Sequence, residues 1–518
     1  MAIRGLALGA LIVAGAAFAP SPGPAERRCE IERGEDLKIF DRGTPFERTV
    51  LRGGVRIVCT GGVSIDADSA ESHSVTGERR FIGRVFYRDS LKTLEADRVD
   101  YFDHDGRILA RGEEVVLTDI EKGSVVRGTE LEYFREMEHR PEARAIVRGR
   151  PHAILYDGPA PATATLDAPA DAAGGGADAE DRPPLEIDAD WMEMLGERVF
   201  RAIGQVEIQR GEMRGWADEA EFDQLEDRML LTGNARVEEE SYALAGEEIE
   251  AWREEEALRE VIASGDAILT SKEMRMDAPK IRILFHEGEL DRLIAFGPRT
   301  ATETADTADA ASPETVRATA SDPDLPGIGP ARPRVIAEEF WLIADSIDAL
   351  TPGQRLTEVI AVGDAYGERA ADSTDVGLAP LIARDWLRGD TITGYFVQEP
   401  APVAKSVPGT DEPAPGEPLP GTPAEAEAPD SAETEMRTVL ERLVAVGADG
   451  RARSLYRLRE DGREQDAPSV NYLVANRIVL HLKDGEVSEV EADGPIHGLH
   501  LEPARPSRSD ETPPEPGR

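Results

Sequence analysis

The sequence predicts an all-β protein of stacked antiparallel hairpins with long disordered insertions, and three observations predict it. A Gly-centred apolar segment recurs along the chain, a second Ala-Asp element precedes many of these glycines at a near-constant distance, and the flanking residues alternate with a period of two. Alternation over short runs marks strands with one buried and one wet face, and self-similarity at a fixed period marks a repeat architecture.

The Gly-centred segment reads VFRAIGQVEI from Val199 to Ile208, MLLTGNARV from Met229 to Val237 and VIASGDAIL from Val261 to Leu269. It returns as VIAVGDA from Val359 to Ala365 and LVAVG from Leu443 to Gly447, with shorter forms ending at Gly112, Gly149, Gly297 and Gly494. An isolated Gly within a strand pattern marks a bend, a bulge or a close backbone approach. Repeated at each crossing, it lets a ladder of hairpins turn a corner and gives a V-shaped or jelly-roll section.

The second element is Ala96-Asp97, Ala217-Asp218, Ala344-Asp345 and Ala475-Asn476, placed so that one hairpin separates it from the next Gly. The turns between have the expected chemistry, as at Asp105-Gly106, Pro352-Gly353 and Asp484-Gly485. Only Glu247 to Arg259 has helical composition. Its place between Gly246 and Gly265 makes it two strands around Glu254 to Glu256, because repeat position overrides local propensity.

The N-terminal residues 1–19 read as a signal peptide or an uncleaved anchor: Arg4 precedes an apolar run from Leu6 to Ala19, shorter than the about 20 residues that span a bilayer. Ala17 to Ala19 resembles a cleavage site, whereas Pro20 directly after it is unfavourable for cleavage. No lipobox precedes Cys29. In an exported chain the two cysteines, Cys29 and Cys59, read as a disulfide, and two thiols without nearby His do not complete a metal shell.

Ordered segments are expected at 28–157 as an N-terminal unit, then at 185–298, 334–398 and 436–502 as a long C-terminal unit. The stretches 158–184, 299–333, 399–435 and 503–518 are rich in Ala, Pro, Gly, Glu and Asp, and such composition buries too little apolar surface to offset chain entropy. Thr391 to Phe396 has the look of an outgoing strand whose returning partner, Leu443 to Gly447, lies beyond an insertion.

The balance of 59 basic and 102 acidic residues, a net of −43, argues against a nucleic-acid partner, which requires a concentrated basic surface. No Gly-x-Ser-x-Gly elbow, phosphate loop or Cys-His pairing of recognisable type is present, so the chain reads as non-enzymatic, without cofactor and without metal. His497 and His500 read as an exposed edge feature. Trp191, Trp216, Trp252, Trp341 and Trp386 fall near outgoing strands and read as core or rim packing.

The Gly-centred pattern, above all from Ala217 through Leu269, resembles the OstA-like repeat of lipopolysaccharide-export proteins, the family of LptA, LptC and the N-terminal domain of LptD. The likeness covers a diffuse 300 or so residues; specificity comes from repetition, not from one diagnostic motif. It implies an OstA-like twisted β-jelly-roll, a periplasmic location and a bridging role in lipopolysaccharide transport. It also implies end-to-end β pairing with other OstA-like proteins. The chain departs from the family in its length and its insertions, and it lacks the aromatic girdles of an outer-membrane barrel.

In that setting alternation nominates Phe200, Val206, Ile208, Leu231, Val237, Val261, Leu269, Val359 and Leu443 as the lining of an apolar lipid-binding groove. The competing reading is an envelope scaffold of stacked hairpins whose core is solid. A polysaccharide lyase on a β-helix would need a clustered catalytic set that the spacing does not supply.

Overall fold

The computed structural model describes residues 29–156, 183–297, 332–369, 384–400, 436–458 and 468–502, less a few single or paired turn positions within them. The segment 1–19 and most of each insertion expected from composition lie outside these residues. Among the described residues the regular structure is strand apart from two short 3-10 turns, and no helix is long and apolar enough to cross a membrane.

The chain divides into two compact units, one holding the described residues up to Ile336 and one those from Ala337. In the first unit the order is β1 (Cys29–Arg33), β2 (Asp36–Phe40), β3 (Arg48–Cys59), β4 (Val63–His73), β5 (Glu78–Arg88), β6 (Lys92–Phe102), β7 (Arg107–Asp119), β8 (Val125–Phe134), β9 (Arg144–Arg148) and β10 (His152–Leu155). It continues with β11 (Leu185–Asp188), β12 (Trp191–Leu195), β13 (Val199–Arg210), β14 (Met213–Asp223), β15 (Arg228–Glu238), β16 (Tyr242–Glu254), β17 (Ala257–Ser271), β18 (Met274–His286), β19 (Glu289–Phe296) and β20 (Arg334–Ala337). All the described pairings are antiparallel, and β13 through β18 pair with their chain neighbours in an unbroken meander. The division expected at 158–184 falls inside this unit, where β10 pairs directly with β11 and β9 with β12.

Each long strand is bent into two limbs. At Gly204-Gln205, Gly233-Asn234 and Gly265-Asp266 both residues have positive φ, and the register skips at the same place. Two consecutive left-handed residues redirect the strand without reversing which side chains point inward, because a two-residue corner preserves the period-2 phase. Phe200 and Ala202 before the corner therefore share the inward face with Val206 and Ile208 after it.

The Ala-Asp element is the other half of the corner. Antiparallel pairing sets Asp218 of β14 against Gly233 of β15, and Asp190 and Asp68 stand in the same way against Gly204 and Gly83. At Gly233, φ is +79°, and an added Cβ would lie 2.8 Å from the Cβ of Asp218. Glycine is required there both by backbone conformation and by the carboxylate that fills the space. At Gly112 the facing residue, Asp97, accepts the backbone N–H of Glu113 at 2.9 Å, which satisfies a donor that the skipped register would strand. The regular Ala-to-Gly spacing in the sequence is thus the path out along one strand and back along the next.

The second unit repeats the design with β21 (Phe340–Ile343), β22 (Ser346–Leu350), β23 (Glu358–Arg369), β24 (Asp385–Pro400), β25 (Met436–Val446), β26 (Ala452–Leu458), β27 (Ser469–Ala475), β28 (Arg477–Lys483), β29 (Glu486–Asp493) and β30 (His497–Leu501). Its corner at Gly363-Asp364 faces Asp345. The pairing expected across the insertion is present, with Ile392 opposite Ala445 and Gly394 opposite Leu443.

Outward side chains of the first unit form cross-strand Arg–carboxylate ladders. Glu130 accepts from Arg111 at 2.8 Å and from Arg148 at 3.0 Å, and Arg201 pairs with Glu221 at 2.7 Å. The Arg111 hydrogen bond, outweighing a partial burial that pushes the other way, holds the Glu130 carboxyl below the usual carboxylate range.

Candidate functional site

Two rows of inward apolar side chains run the length of the first unit, one on each limb. On the limb after the corner the row passes from Ile31 through Ile57, Ile65, Tyr87, Leu94, Leu117 and Val126. It continues through Ala153, Ile187, Ile208, Gly215, Val237, Leu244 and Leu269 to Met276. At about 4.8 Å per strand step this line extends on the order of 65 Å. On the limb before the corner, Leu37 leads through Leu51, Ala70 and Phe81, and the row later passes Leu131, Met192, Leu231 and Ile281. None of these positions is charged.

All nine side chains nominated from the sequence face inward and are buried: Phe200, Val206, Ile208, Leu231, Val237, Val261 and Leu269 in the first unit, Val359 and Leu443 in the second. Ile208, Val237 and Leu269 lie in one cross-strand row, and Leu231 lies in the row of the other limb. Phe200 packs on Phe222 with ring centroids 5.7 Å apart. Val359 and Leu443 flank Gly394 in a separate row of the second unit.

A small pocket, open to solvent and with a cavity volume of about 40 Å³, lies between the limbs of β13 to β16. Ile208, Leu231 and Val237 line it together with Leu185, Met213, Phe222, Met229 and Ala251, and Gly215 supplies the missing side-chain volume. Its rim is charged, with Arg210, Arg228 and Arg253 beside Asp223 and Asp227. Burial pushes the Asp223 carboxyl up, but hydrogen bonds from Arg198 and from the backbone N–H groups of Leu225 and Glu226 outweigh it and leave the group below its ordinary value. Sequence reasoning missed this rim. Arg210 and Arg253 carry the inward phase of their strands, and that phase, continued to the strand ends, was the signal available.

The ends of the described chain are exposed. Every residue of β1 and β2 is exposed, including Ile31, Leu37, Ile39 and Phe40, and so is every residue of β30, with Leu499 and Leu501. Cys29 and Cys59 form a disulfide between directly opposed positions of β1 and β3. His497 and His500 sit on β30, where His500 Nδ1 lies 2.7 Å from Asn471 Oδ1.

Of the tryptophans, Trp341 and Trp386 belong to an aromatic run with Tyr366 and Tyr472, with centroids 5.3 to 6.2 Å apart. Tyr366 donates to Glu368 at 2.8 Å, and burial, then that bond, push its hydroxyl well above the ordinary value. Trp191, Trp216 and Trp252 are half-buried on the first unit. Among the described residues no group of three His, Cys, Asp or Glu side chains could hold a metal ion.

Comparison with known proteins gives a match of residues 192–257 to a family model described as the LptA/(LptD N-terminal domain) LPS transport protein. A search of curated proteins finds no match. Among solved structures, the chain is similar to LptH, the LptA-homologous periplasmic component of the lipopolysaccharide transport device of Pseudomonas aeruginosa. The identity is 11%, covering 39% of this chain and 82% of that one, with a TM-score of 0.10.

Proposed function

We propose that this chain, which belongs through residues 192–257 to the OstA-like family of lipopolysaccharide-transport proteins, is a periplasmic carrier that shields lipopolysaccharide acyl chains between its two limbs. One observation carries the reading: on each limb one cross-strand row of apolar residues runs without a charged member from β1 or β2 to β18 or β19, although Arg210 stands elsewhere on the same inward face. An acyl chain gains about 0.8 kcal/mol for each CH₂ removed from water, so a path for it must be apolar throughout. A single buried carboxylate in that line would be enough to break it.

The exposed edges support a second element of the reading. A strand edge with unpaired backbone groups accepts another strand, and here the edges at β1–β2 and at β30 carry exposed apolar side chains. End-to-end pairing of the β1–β2 edge with other OstA-like proteins would extend the apolar rows of the first unit into the next molecule.

The competing scaffold reading is favoured by one observation, the burial of most inward side chains to below a tenth of their free area, as in a filled core. Co-elution of lipopolysaccharide with the protein on size exclusion separates the two readings. The carrier reading expects wild-type protein to retain lipid, and Val206→Asp and Leu231→Asp to stay folded and lose it. Absence of lipid from the wild type, or unfolding of both variants, favours the scaffold.

A further inference from the structure

Outward side chains of the first unit form charged ladders, whereas one outward face of the second unit carries rings. Cross-strand pairing sets Trp341 of β21 opposite Glu368 of β23, and Glu368 opposite Trp386 of β24. Trp386 then stands opposite Leu455 of β26, Leu455 opposite Tyr472 of β27 and Tyr472 opposite Leu499 of β30. Directly opposed residues share a face. The neighbouring row, with Leu342, Gly367, Leu387 and Ser454, is buried and continues the inward phase of Ala361 and Ala365, so the row of rings points away from the core.

Tyr366 closes the gap between the tryptophans, with ring centroids 5.3 Å from Trp341 and 6.2 Å from Trp386, and Tyr472 follows 6.2 Å beyond Trp386. Interplanar angles of 48° and 57° at the two ends of the run keep neighbouring rings from covering each other's faces. Trp341, Trp386 and Tyr472 are accordingly half-buried, and Leu499 at the end of the row is 57% exposed. The charged groups nearest the rings are paired: Glu368 accepts from the Tyr366 hydroxyl and from Arg384 Nη1, each at 2.8 Å, and Arg388 donates to Asp364 at 2.8 Å.

Five cross-strand steps make the row on the order of 24 Å long, and with the Tyr366 position beside it the face covers roughly 300 Å². That is well below the about 800 Å² per partner of a stable protein interface, so a second copy of the chain is a poor occupant. An anionic ligand is disfavoured by the paired charges and by a net charge of −43. What remains is a small, flat, neutral ligand that is apolar on its faces and polar at its edges.

We propose that this face binds an extended, uncharged saccharide chain whose pyranose rings lie on Trp341, Trp386 and Tyr472. A pyranose turns C–H groups toward the negative face of an aromatic ring and keeps its hydroxyls at the edge. Arg384 and Arg388 have five N–H donors each, more than their carboxylate partners use, and the remainder serve those hydroxyls. A row of rings crossing six strands suits a straight β-linked chain better than a coiled α-linked one. Such binding would moor the chain to a polysaccharide layer, and it uses no residue of the acyl path in the first unit.

Titration calorimetry on the full chain tests this with cellohexaose and chitohexaose as β-linked probes, maltohexaose as the α-linked one and deacylated lipopolysaccharide as the anionic one. At least one β-linked probe is expected to bind about tenfold or more tightly than the other two classes. Trp386→Ala is expected to weaken that binding about tenfold, and Trp216→Ala, on the first unit, to leave it unchanged. Leu499→Tyr adds a ring opposite Tyr472 at an exposed position and is expected to tighten binding several-fold, a readout that stands even where Trp386→Ala does not fold. Failure of both β-linked probes to bind, equal binding of maltohexaose or of the anionic probe, or no gain in Leu499→Tyr overturns the saccharide face and leaves the carrier reading of the first unit untouched.

Discussion

Replacing Gly233 with Ala tests the corner that gives the limbs their geometry. Gly233 has φ of +79°, and its neighbour Asn234 has φ of +48°. An L residue in that region costs about 1–2 kcal/mol relative to a right-handed conformation. The new Cβ would also lie 2.8 Å from the Cβ of Asp218, so the carboxylate must swing away from Asn234 Nδ2, which it now meets at 3.3 Å. Losing that hydrogen bond adds about 0.5–1.5 kcal/mol. The sum is about 1.5–3.5 kcal/mol, and the clash makes it depend on Asp218. Asp218→Ala in the same background removes the Cγ and Oδ2 that crowd the new Cβ, leaving only the Cβ contact, so the double variant is expected to cost less than the two single changes added together. Urea unfolding followed by tryptophan fluorescence measures it, with Trp216 and Trp252 on the strands either side. A Gly233→Ala cost below about 0.5 kcal/mol, or strict additivity with Asp218→Ala, would refute the view that Gly and Asp form one corner unit.

Three further outcomes are expected. Reduction of Cys29–Cys59 releases a strand whose residues are all exposed, removing a constraint on the order of 3–4 kcal/mol for a loop of 30 residues; hydrogen exchange should quicken across β1 while the inward rows keep their protection. The Glu130 carboxyl is lowered in the folded state chiefly by its Arg111 hydrogen bond, so the stability it contributes is full above the ordinary carboxylate pKa and is lost as pH falls through the folded value. Glu130→Gln should therefore flatten the acid limb of the urea midpoint against pH, and an unchanged limb would deny the pair that role. Leu37→Glu or Leu499→Glu, each on an exposed edge strand, should weaken end-to-end association measured by light scattering over a concentration series, with no loss of β content by circular dichroism.

The all-β class and the inward face were legible because a two-residue corner keeps the alternation in phase. Phe200 and Val206 could thus be placed on one side although they lie on different limbs. The Ala-Asp element was visible as a spacing, but its role was not, since opposing Asp218 to Gly233 depends on strand register and on the bend itself. The break expected at 158–184 reflected local composition, whereas β10 and β11 pair across it because their inward residues Ala153 and Ile187 continue one apolar row. The pocket rim escaped sequence reading because Arg210 and Arg253 are remote in sequence and resemble ordinary polar strand ends until the corner brings the limb tips together.

The most direct test of the carrier account is photo-crosslinking of the purified, folded protein to lipopolysaccharide, with probes at Val206, Leu231 and Leu269 and controls at the exposed neighbours Glu207, Thr232 and Thr270. The account predicts crosslinks at the three inward positions and none at the controls. Crosslinks at neither set, or equally at both, would contradict an interior path and leave a solid-cored scaffold as the better description.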